Sequence, residues 1–505
     1  MIKLIYRIES DYMSKKRMLI VTSVTLSVVT ISLGIVKLYQ TYALSNYIGT
    51  VTDTGIDVYI NDDSYASIPA NGSSNVYYML TNTNPGTVKY GVAYQTTSGV
   101  TVKVYDTSED PATGTIEEND KKYIKLHLEN KNSTNKTIEL STVLGYENGG
   151  DLVVPSGVTL VTDTYTPPPT AAEYITKLYT TASKTTVTNN SITYNTAPSV
   201  SLMNDRLGGT TTDLDGGNIR YYGASPNNYI YFNCSDYSNQ TSSTCETWRI
   251  IGVFDGKLKL IRGSQIGTYS WDNKDTSTGA ESNFGKNDWT TARLMKLLNP
   301  SDYYTTDSND NNLGQGLYYN SASGKCYSGQ NNATVDCNFT STGIKNDITR
   351  NMIAETTYNL GGWNSNTVYP NLMYEKERGT TVYTGRPTTP WTGKIALAYP
   401  SDYGYAADLN QCKDKTLYDY NNSTCTSNNW MKAIITNNGS NSGWLLTPYS
   451  SGSSNVWYVT SDGSVYNNSS ACNANGAVPV LSLSSELGIE SGGDGSSSNP
   501  YKLSA

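Results

Sequence analysis

Histidine is the scarcest of the residues that could do acid–base or nucleophilic chemistry, because His127 is the only one in 505 residues. It alternates with Lys125 and Glu129 in a strand-like run, which predicts an exposed position on the solvent face of a strand. Catalysis by a Ser–His or Cys–His pair needs an imidazole beside the nucleophile. A single exposed histidine outside the large C-terminal region does not supply one, and we expect no enzyme of these classes.

Paired carboxylates are the catalytic chemistry that the composition still allows, because such a pair needs only two acids about 5–10 Å apart. The acidic candidates in the C-terminal region are Asp272, Asp288, Glu355, Glu375, Glu377, Asp402 and Asp408. No spacing in the sequence brings two of them together, and such acids are also common in turns and helix caps. An extracellular carboxylate-dependent hydrolase therefore stays an alternative, although we expect no enzymatic activity.

Six of the seven cysteines form neighbouring pairs, each enclosing a short polar segment. The pairs are Cys234 with Cys245, Cys326 with Cys337, and Cys412 with Cys425. Such spacing is typical of disulfides that close surface loops in an oxidising compartment, although six cysteines also permit other connectivities. Zinc sites need spacings of about two to four residues or nearby histidines, so we expect no metal and no other cofactor. Cys472 is left over, as a free thiol or as half of an intermolecular bridge.

Aromatic side chains supply the candidate binding chemistry, with 42 tyrosines against only 4 phenylalanines. Tyrosine and tryptophan among Gly, Pro, Ser and Asn are typical of adaptable binding loops, and their rings also suit the faces of sugars. The predicted ligand-binding residues are Trp391, Tyr399, Tyr403, Tyr405 and Trp457. Trp248 and Trp444 stand in apolar runs, and we expect them in the core.

An uncharged segment near the N-terminus, Met18–Val36, is long enough to cross a membrane. As a helix it measures about 28 Å, close to the roughly 30 Å of a bilayer core. Lys15, Lys16 and Arg17 precede it, which predicts a cytoplasmic segment 1–17, a single transmembrane anchor at 18–38 and an extracellular remainder. A cleaved signal peptide is the alternative. The net charge of -8 argues against nucleic acid as a partner.

Residue types change sharply along the chain, since all cysteines and tryptophans follow residue 233. Alternating apolar runs such as Val100–Val104 and Ile124–Leu128 predict a β-sandwich domain, immunoglobulin-like, over 45–165. A proline-rich linker with a short helix at Ala171–Tyr179 is expected over 166–195. The remainder is predicted as a large domain over 196–485 and a flexible tail over 486–505. The fold class is therefore mainly β, with an α+β head at the C-terminus.

Three segments of the large domain have a definite pattern. Trp248–Gly252 is an apolar strand, Trp289–Leu298 is predicted as a helix, and the closing strands run from Trp444 to Leu483. A hairpin is expected at Asp255-Gly256. In this order the segments resemble the C-type-lectin-like domains of bacterial surface proteins, which are related to the formylglycine-generating enzyme fold.

The resemblance implies a stable scaffold that displays irregular loops for ligand binding. The reactive cysteine pair of the family's enzymes has no counterpart here, so no catalytic residue is carried over. We therefore expect a membrane-anchored extracellular binding or adhesion protein, with a lectin-like head on a β-sandwich stalk and a glycan or protein as its ligand. A structural protein of the cell envelope is a further alternative.

Overall fold

The computed structural model describes residues 56–58, 65–82, 85–106, 108–145, 152–205, 217–273, 284–305, 313–387 and 390–504. The predicted cytoplasmic segment 1–17 and the predicted anchor 18–38 lie outside these residues. Within the described ranges, no helix has the length and apolar character needed to span a bilayer.

The chain divides into two compact units, Met1–Pro167 and Pro168–Ala505. Strands far outnumber helices in the described parts of both, and the predicted mainly-β class is confirmed. The boundary falls within the run Pro167-Pro168-Pro169, where proline rings disfavour continuation of either a helix or a central strand.

The N-terminal unit consists of ten described strands in two five-stranded sheets. One sheet has the order β1-β3-β7-β5-β10, and the other has the order β2-β8-β4-β6 with β9 also paired to β4. The strands are β1 Ile56–Val58, β2 Tyr65–Ile68, β3 Gly72–Asn82, β4 Val88–Gln95, β5 Val100–Tyr105, β6 Thr113–Ile116, β7 Lys121–Asn130, β8 Lys136–Gly145, β9 Val158–Leu160 and β10 Thr164–Tyr165.

Alternation along these strands builds a core that both sheets share. Ile124, Leu126 and Leu128 of β7 point to one face and are fully buried, as the period-two pattern predicts. They belong to the same apolar cluster as Tyr90 and Leu140 from the other sheet. The burial of these alternate side chains stabilises this unit.

His127 is not exposed as predicted, since only 6% of its surface is accessible. The ring of Tyr165 stacks on it at 3.6 Å between centroids, and Asn75 Oδ1 lies 2.7 Å from His127 Nδ1. Tyr165 reaches this position because β10 runs parallel to β5 at the edge of the sheet. The local alternation identified the face of β7 correctly, but a strand much later in the chain covers that face.

The C-terminal unit begins with helix α1, Ala171–Thr181, which contains the predicted helix. Thr170 caps it by accepting a hydrogen bond from Glu173 N, and Glu173 accepts one from Thr170 N, which forms a capping box. The rest of the predicted linker is a hairpin, β11 Thr185–Asn189 with β12 Ile192–Ala197. The linker prediction was therefore wrong there: the Thr-rich segment pairs as strands, with Asn190 and Ser191 at positive φ in the turn.

This hairpin opens a nine-stranded sheet with the order β11-β12-β13-β14-β16-β17-β28-β23, with β15 on β16. The further strands are β13 Leu202–Asn204, β14 Ile219–Tyr221, β15 Tyr229–Phe232, β16 Glu246–Phe254, β17 Lys257–Arg262, β23 Ile395–Ala396 and β28 Val480–Ser482. The predicted turn at Asp255-Gly256 joins β16 to β17, and both residues have positive φ, at 48° and 70°. That geometry matches the type I′ turn that Asp-Gly favours.

A second sheet of five strands and three two-stranded ladders complete the β-structure described in this unit. The five-stranded sheet has the order β18-β27-β24-β25-β26, with β18 Thr268–Tyr269, β24 Gly443–Pro448, β25 Asn455–Val459, β26 Val465–Ser470 and β27 Asn475–Gly476. The ladders pair β19 Ser323–Tyr327 with β20 Thr334–Asn338, β21 Thr356–Tyr358 with β22 Trp391–Gly393, and β29 Gly488–Ile489 with β30 Leu503–Ser504.

Short helices connect the strands of the two sheets. They are α2 Arg293–Leu298, α3 Asp347–Met352, α4 Pro370–Glu377, α5 Pro400–Tyr405, α6 Ser423–Ser427 and α7 Lys432–Ile435. The helix predicted from Trp289 begins only at Arg293, because Asp288 accepts hydrogen bonds from Thr290 N and Oγ1 and holds the preceding residues in a turn.

The C-terminal segment 486–505 is not a flexible tail over its described residues. Its strands β29 and β30 pair with each other, and Tyr231 N donates to Tyr501 O at 2.9 Å. Gln240 Nε2 donates to Leu503 O at 2.6 Å, and the side chains of Tyr501 and Leu503 are buried. The Gly- and Ser-rich composition reflects a turn within the fold, in which Asp494 N donates to Asn499 O.

Candidate ligand-binding site

Three disulfides link the cysteine pairs predicted from spacing, Cys234–Cys245, Cys326–Cys337 and Cys412–Cys425. Each closes a loop within the C-terminal unit. Cys472 is a free thiol in a fully buried position, and burial raises its pKa. A thiol so enclosed is poorly placed to form a bridge to another molecule.

The five aromatic residues predicted to bind a ligand are all in the interior. Trp391, Tyr399, Tyr403, Tyr405 and Trp457 are buried. Trp391 contacts Trp289 edge to face, and the hydroxyl of Tyr403 donates to Gly463 O. Their role in ligand binding stays a prediction from composition, and their position in the core offers it no open ring face. Trp248 and Trp444 are buried, as expected.

Two of the seven candidate acids, Glu377 and Asp402, come together beside Ser401. Ser401 N donates to Glu377 Oε1 at 2.8 Å, and Asp402 is the next residue along α5. Burial raises the pKa of Glu377 to about 7. Burial also opposes ionisation of Asp402, but the cations Lys259 and Arg220 outweigh it and lower its pKa to about 2.

This pair of acids belongs to a buried ionic network. Lys259 Nζ lies 2.5 Å from Asp402 Oδ2, and Arg220 Nη1 lies 2.9 Å from Asp402 Oδ1. Arg220 Nε also contacts Asp205 at 2.5 Å. Split pKa values are typical of acid–base pairs, but Glu377 and Asp402 are 0% and 1% exposed, so neither carboxylate is open to solvent. The network therefore holds strands β14 and β17 to helix α5.

A cleft of about 530 Å³ lies where β15, β16 and β17 approach α7. Its volume is within the roughly 300–1,000 Å³ that is usual for small-molecule sites. The lining residues are Tyr229, Glu246, Thr247, Arg249, Arg262, Gly263, Ser264, Trp430, Ala433, Ile434, Asn437 and Asn438. Two arginines and one glutamate give this cleft a net charge of +1 in a chain whose own net charge is -8.

Arg249 is the most unusual residue in the cleft, because it is a buried cation with an exposure of 6%. Its Cζ lies 3.7 Å from the ring centre of Tyr229 and 4.9 Å from that of Trp430. Its Nε donates to Asn228 Oδ1 at 2.5 Å, and Nη2 donates to Pro226 O at 3.3 Å. Burial lowers the pKa of Arg249 to about 10, so the guanidinium is still charged at neutral pH.

The second arginine of the cleft, Arg262, is neutralised within the protein. Its Nε lies 3.0 Å from Glu246 Oε2, and its Nη2 lies 3.2 Å from Glu246 Oε1, which is a two-pronged ion pair. Its Nη1 donates to Ser264 Oγ at 2.8 Å. Among the described residues, by contrast, no carboxylate forms an ion pair with Arg249.

Polar residues that follow α7 line another part of the cleft. Asn437 and Asn438 have positive φ, at 47° and 56°, and are followed by Gly439, so the chain turns sharply here. Asn438 N donates to Ala433 O at 2.8 Å and fixes the turn. Asn437 and Asn438 are exposed and line the cleft, as Thr247 and Ser264 also do. Such amides and hydroxyls both donate and accept hydrogen bonds.

Arg249 was not predicted from the sequence as a ligand-binding residue, although it lies inside the segment Trp248–Gly252 that carries the resemblance to C-type-lectin-like domains. The available signal was an arginine between Trp248 and Ile250 in an otherwise apolar strand. Because neighbouring residues of a strand point to opposite faces, that arginine had to lie opposite the core side chain of Trp248.

The sequence of the chain matches no protein-family model, and no curated protein is significantly similar to it.

Proposed function

We propose that this chain is a membrane-anchored extracellular binding or adhesion protein whose C-terminal unit binds a glycan in the cleft around Arg249. The observation that carries this proposal is the buried Arg249, which lines a cleft of ligand size without an acidic partner among the described residues. Clefts with a few converging polar groups and a residue of perturbed pKa are typical ligand sites.

Two further observations support an extracellular position. Three disulfides in one unit are typical of an oxidising compartment, outside the reducing cytoplasm. The apolar segment Met18–Val36, with basic residues before it, supplies the proposed single membrane anchor.

The proposal also gives each unit a role. In chain order the described strands of the N-terminal unit, β1 to β10, stand between the proposed anchor and the C-terminal unit, and their two sheets over one core suit an immunoglobulin-like sandwich that serves as a stalk. The C-terminal unit is the C-type-lectin-like head.

Binding of the full-length chain, reconstituted in lipid nanodiscs, to a glycan array tests the proposal. Ala433 is exposed and lines the cleft, so Ala433→Trp should fill the site without disturbing the core. Ala333 is an exposed alanine in the turn between β19 and β20, and Ala333→Trp is the matched control. We expect selective glycan binding that Ala433→Trp abolishes and Ala333→Trp keeps. Binding to no glycan, or equal binding by both variants, would contradict the proposal.

A further inference from the structure

We propose that the ligand of the cleft is a saccharide that carries a carboxylate, such as a uronic acid, and that Arg249 contacts this carboxylate. The inference rests on the proposed function and names the chemical class of its ligand. It starts from a contrast between the two arginines of the cleft, since Glu246 neutralises Arg262 and no described acid neutralises Arg249.

A buried charge without an opposite charge beside it is costly, because it has lost the water that solvates it. In the protein, Asn228 and the carbonyl of Pro226 accept two hydrogen bonds from the Arg249 guanidinium, but both acceptors are neutral. An anionic ligand would compensate the charge. A planar carboxylate fits best, because it can accept two parallel hydrogen bonds from a guanidinium.

The surroundings of Arg249 favour a sugar as the carrier of this carboxylate. Asn437 and Asn438 offer amides, and Thr247 and Ser264 offer hydroxyls. Side chains that both donate and accept are suited to sugar hydroxyls, which also do both. The half-buried ring of Tyr229 adds an amphipathic aromatic surface on the same side as Arg249. An acidic peptide would also use the guanidinium, but it offers fewer hydroxyl groups to these side chains than a sugar does.

Arg249 also has a supported position, which binding residues need. Tyr229 and Trp430 pack against its guanidinium, and Trp430 Nε1 donates to Tyr221 O at 3.0 Å. Asn228 is held in turn, because its Nδ2 donates to Ile250 O at 2.8 Å. The guanidinium therefore has a fixed orientation before a ligand arrives, which reduces the entropy lost on binding.

The test compares two matched ligands on the full-length chain in nanodiscs by isothermal titration calorimetry. One is a glucuronate-containing oligosaccharide, and the other is the same oligosaccharide with its carboxylates reduced to hydroxymethyl groups. We expect the acidic form to bind about tenfold or more tightly, as one charge-assisted hydrogen-bond pair would give. Arg249→Lys keeps the charge but loses the two-pronged geometry, and it should remove most of this difference. Arg350→Lys, in the same unit outside the cleft, should keep it.

The outcomes separate this inference from the proposed function. Equal binding of the two oligosaccharides would contradict the proposal that the ligand carries a carboxylate, but not the proposal that the C-terminal unit binds a glycan. Binding of a poly-glutamate peptide as tightly as the acidic sugar would contradict the proposal that the ligand is a saccharide. Binding of neither sugar, together with no response on the glycan array, would overturn both proposals. The comparison of the two ligands needs no variant, so it holds even where Arg249→Lys does not fold.

Discussion

The two units of this chain solve the problem of stability differently. The N-terminal unit is built on four strands of 8 to 11 residues, β3, β4, β7 and β8. Its described residues share one apolar cluster between the two sheets, and its sequence has no cysteine or tryptophan. The C-terminal unit has many strands of two to six residues, and it adds three disulfides and buried ions such as Asp402. Short elements bury little surface each, so cross-links and polar networks must hold them together. The ligand-sized cleft around Arg249 lies in this C-terminal unit.

Reduction of the disulfides should give the largest difference in stability between the two units. Closing loops of 11 to 13 residues stabilises a fold by about 3 kcal/mol per bond in the chain-entropy model. We expect dithiothreitol to lower the unfolding midpoint of the C-terminal unit strongly and to leave the N-terminal unit unchanged. All eight tryptophans lie in the C-terminal unit, so tryptophan fluorescence follows it alone. An equal loss of stability in both units, measured by hydrogen exchange, would show that the disulfides do not distinguish the C-terminal unit from the N-terminal unit.

The buried ionic network gives the next largest expected effect. Asp402→Asn removes the negative charge that Arg220 and Lys259 share, and leaves both cations buried. We expect a loss of about 3–5 kcal/mol in the free energy of unfolding of the C-terminal unit, measured by denaturant titration. Asp336→Asn is the control, because its ion pair with Lys325 is solvent-exposed and should contribute less than about 1 kcal/mol. Equal effects of the two changes would show that the network is not stabilising.

Acidification should move the stabilities of the two units in opposite directions. Burial lowers the pKa of His127, so the unfolded N-terminal unit takes up a proton more readily and the folded unit loses stability as the pH falls below about 6.5. Burial raises the pKa of Glu377 to about 7 and that of Asp272 to about 6. The folded C-terminal unit therefore takes up protons more readily and gains stability as the pH falls.

We expect changes on the order of 1 kcal/mol between pH 7.5 and 5.5, a loss for the N-terminal unit and a gain for the C-terminal unit. Hydrogen exchange of β7 measures the first, and tryptophan fluorescence during urea unfolding measures the second. His127→Gln should flatten the response of the N-terminal unit, and Glu377→Gln should weaken that of the C-terminal unit. A change of stability in the same direction in both units would contradict the assignment of the pH dependence to His127 in one unit and Glu377 in the other.

The contrast between the units also explains what the sequence could predict. Alternation at Ile124, Leu126 and Leu128 is local information, and it suffices for a regular strand with one buried face. The Asp255-Gly256 turn and the cysteine pairs are equally local signals. The mainly-β class, this hairpin and the three disulfides could therefore be predicted.

Features that depend on distant parts of the chain were missed. His127 is covered by Tyr165 from a later strand, and residues 486–504 are held in the fold by Tyr501 and Leu503, whose side chains are buried in the core. The cleft combines β16 with Trp430, which is far away in sequence, so composition pointed to buried aromatics instead of Arg249. The local hydrophobic pattern of a segment does not encode such contacts with distant segments.

Hydrogen–deuterium exchange of the full-length chain, with and without the tightest ligand from the glycan array, tests directly whether the ligand binds in the cleft around Arg249. We predict that the ligand slows exchange in peptides covering 245–265 and 429–440, the two segments that contain most of the residues lining the cleft, and leaves the N-terminal unit unchanged. Protection confined to other segments, such as β25 and β26, would place the ligand elsewhere and contradict the assignment of this cleft as the binding site.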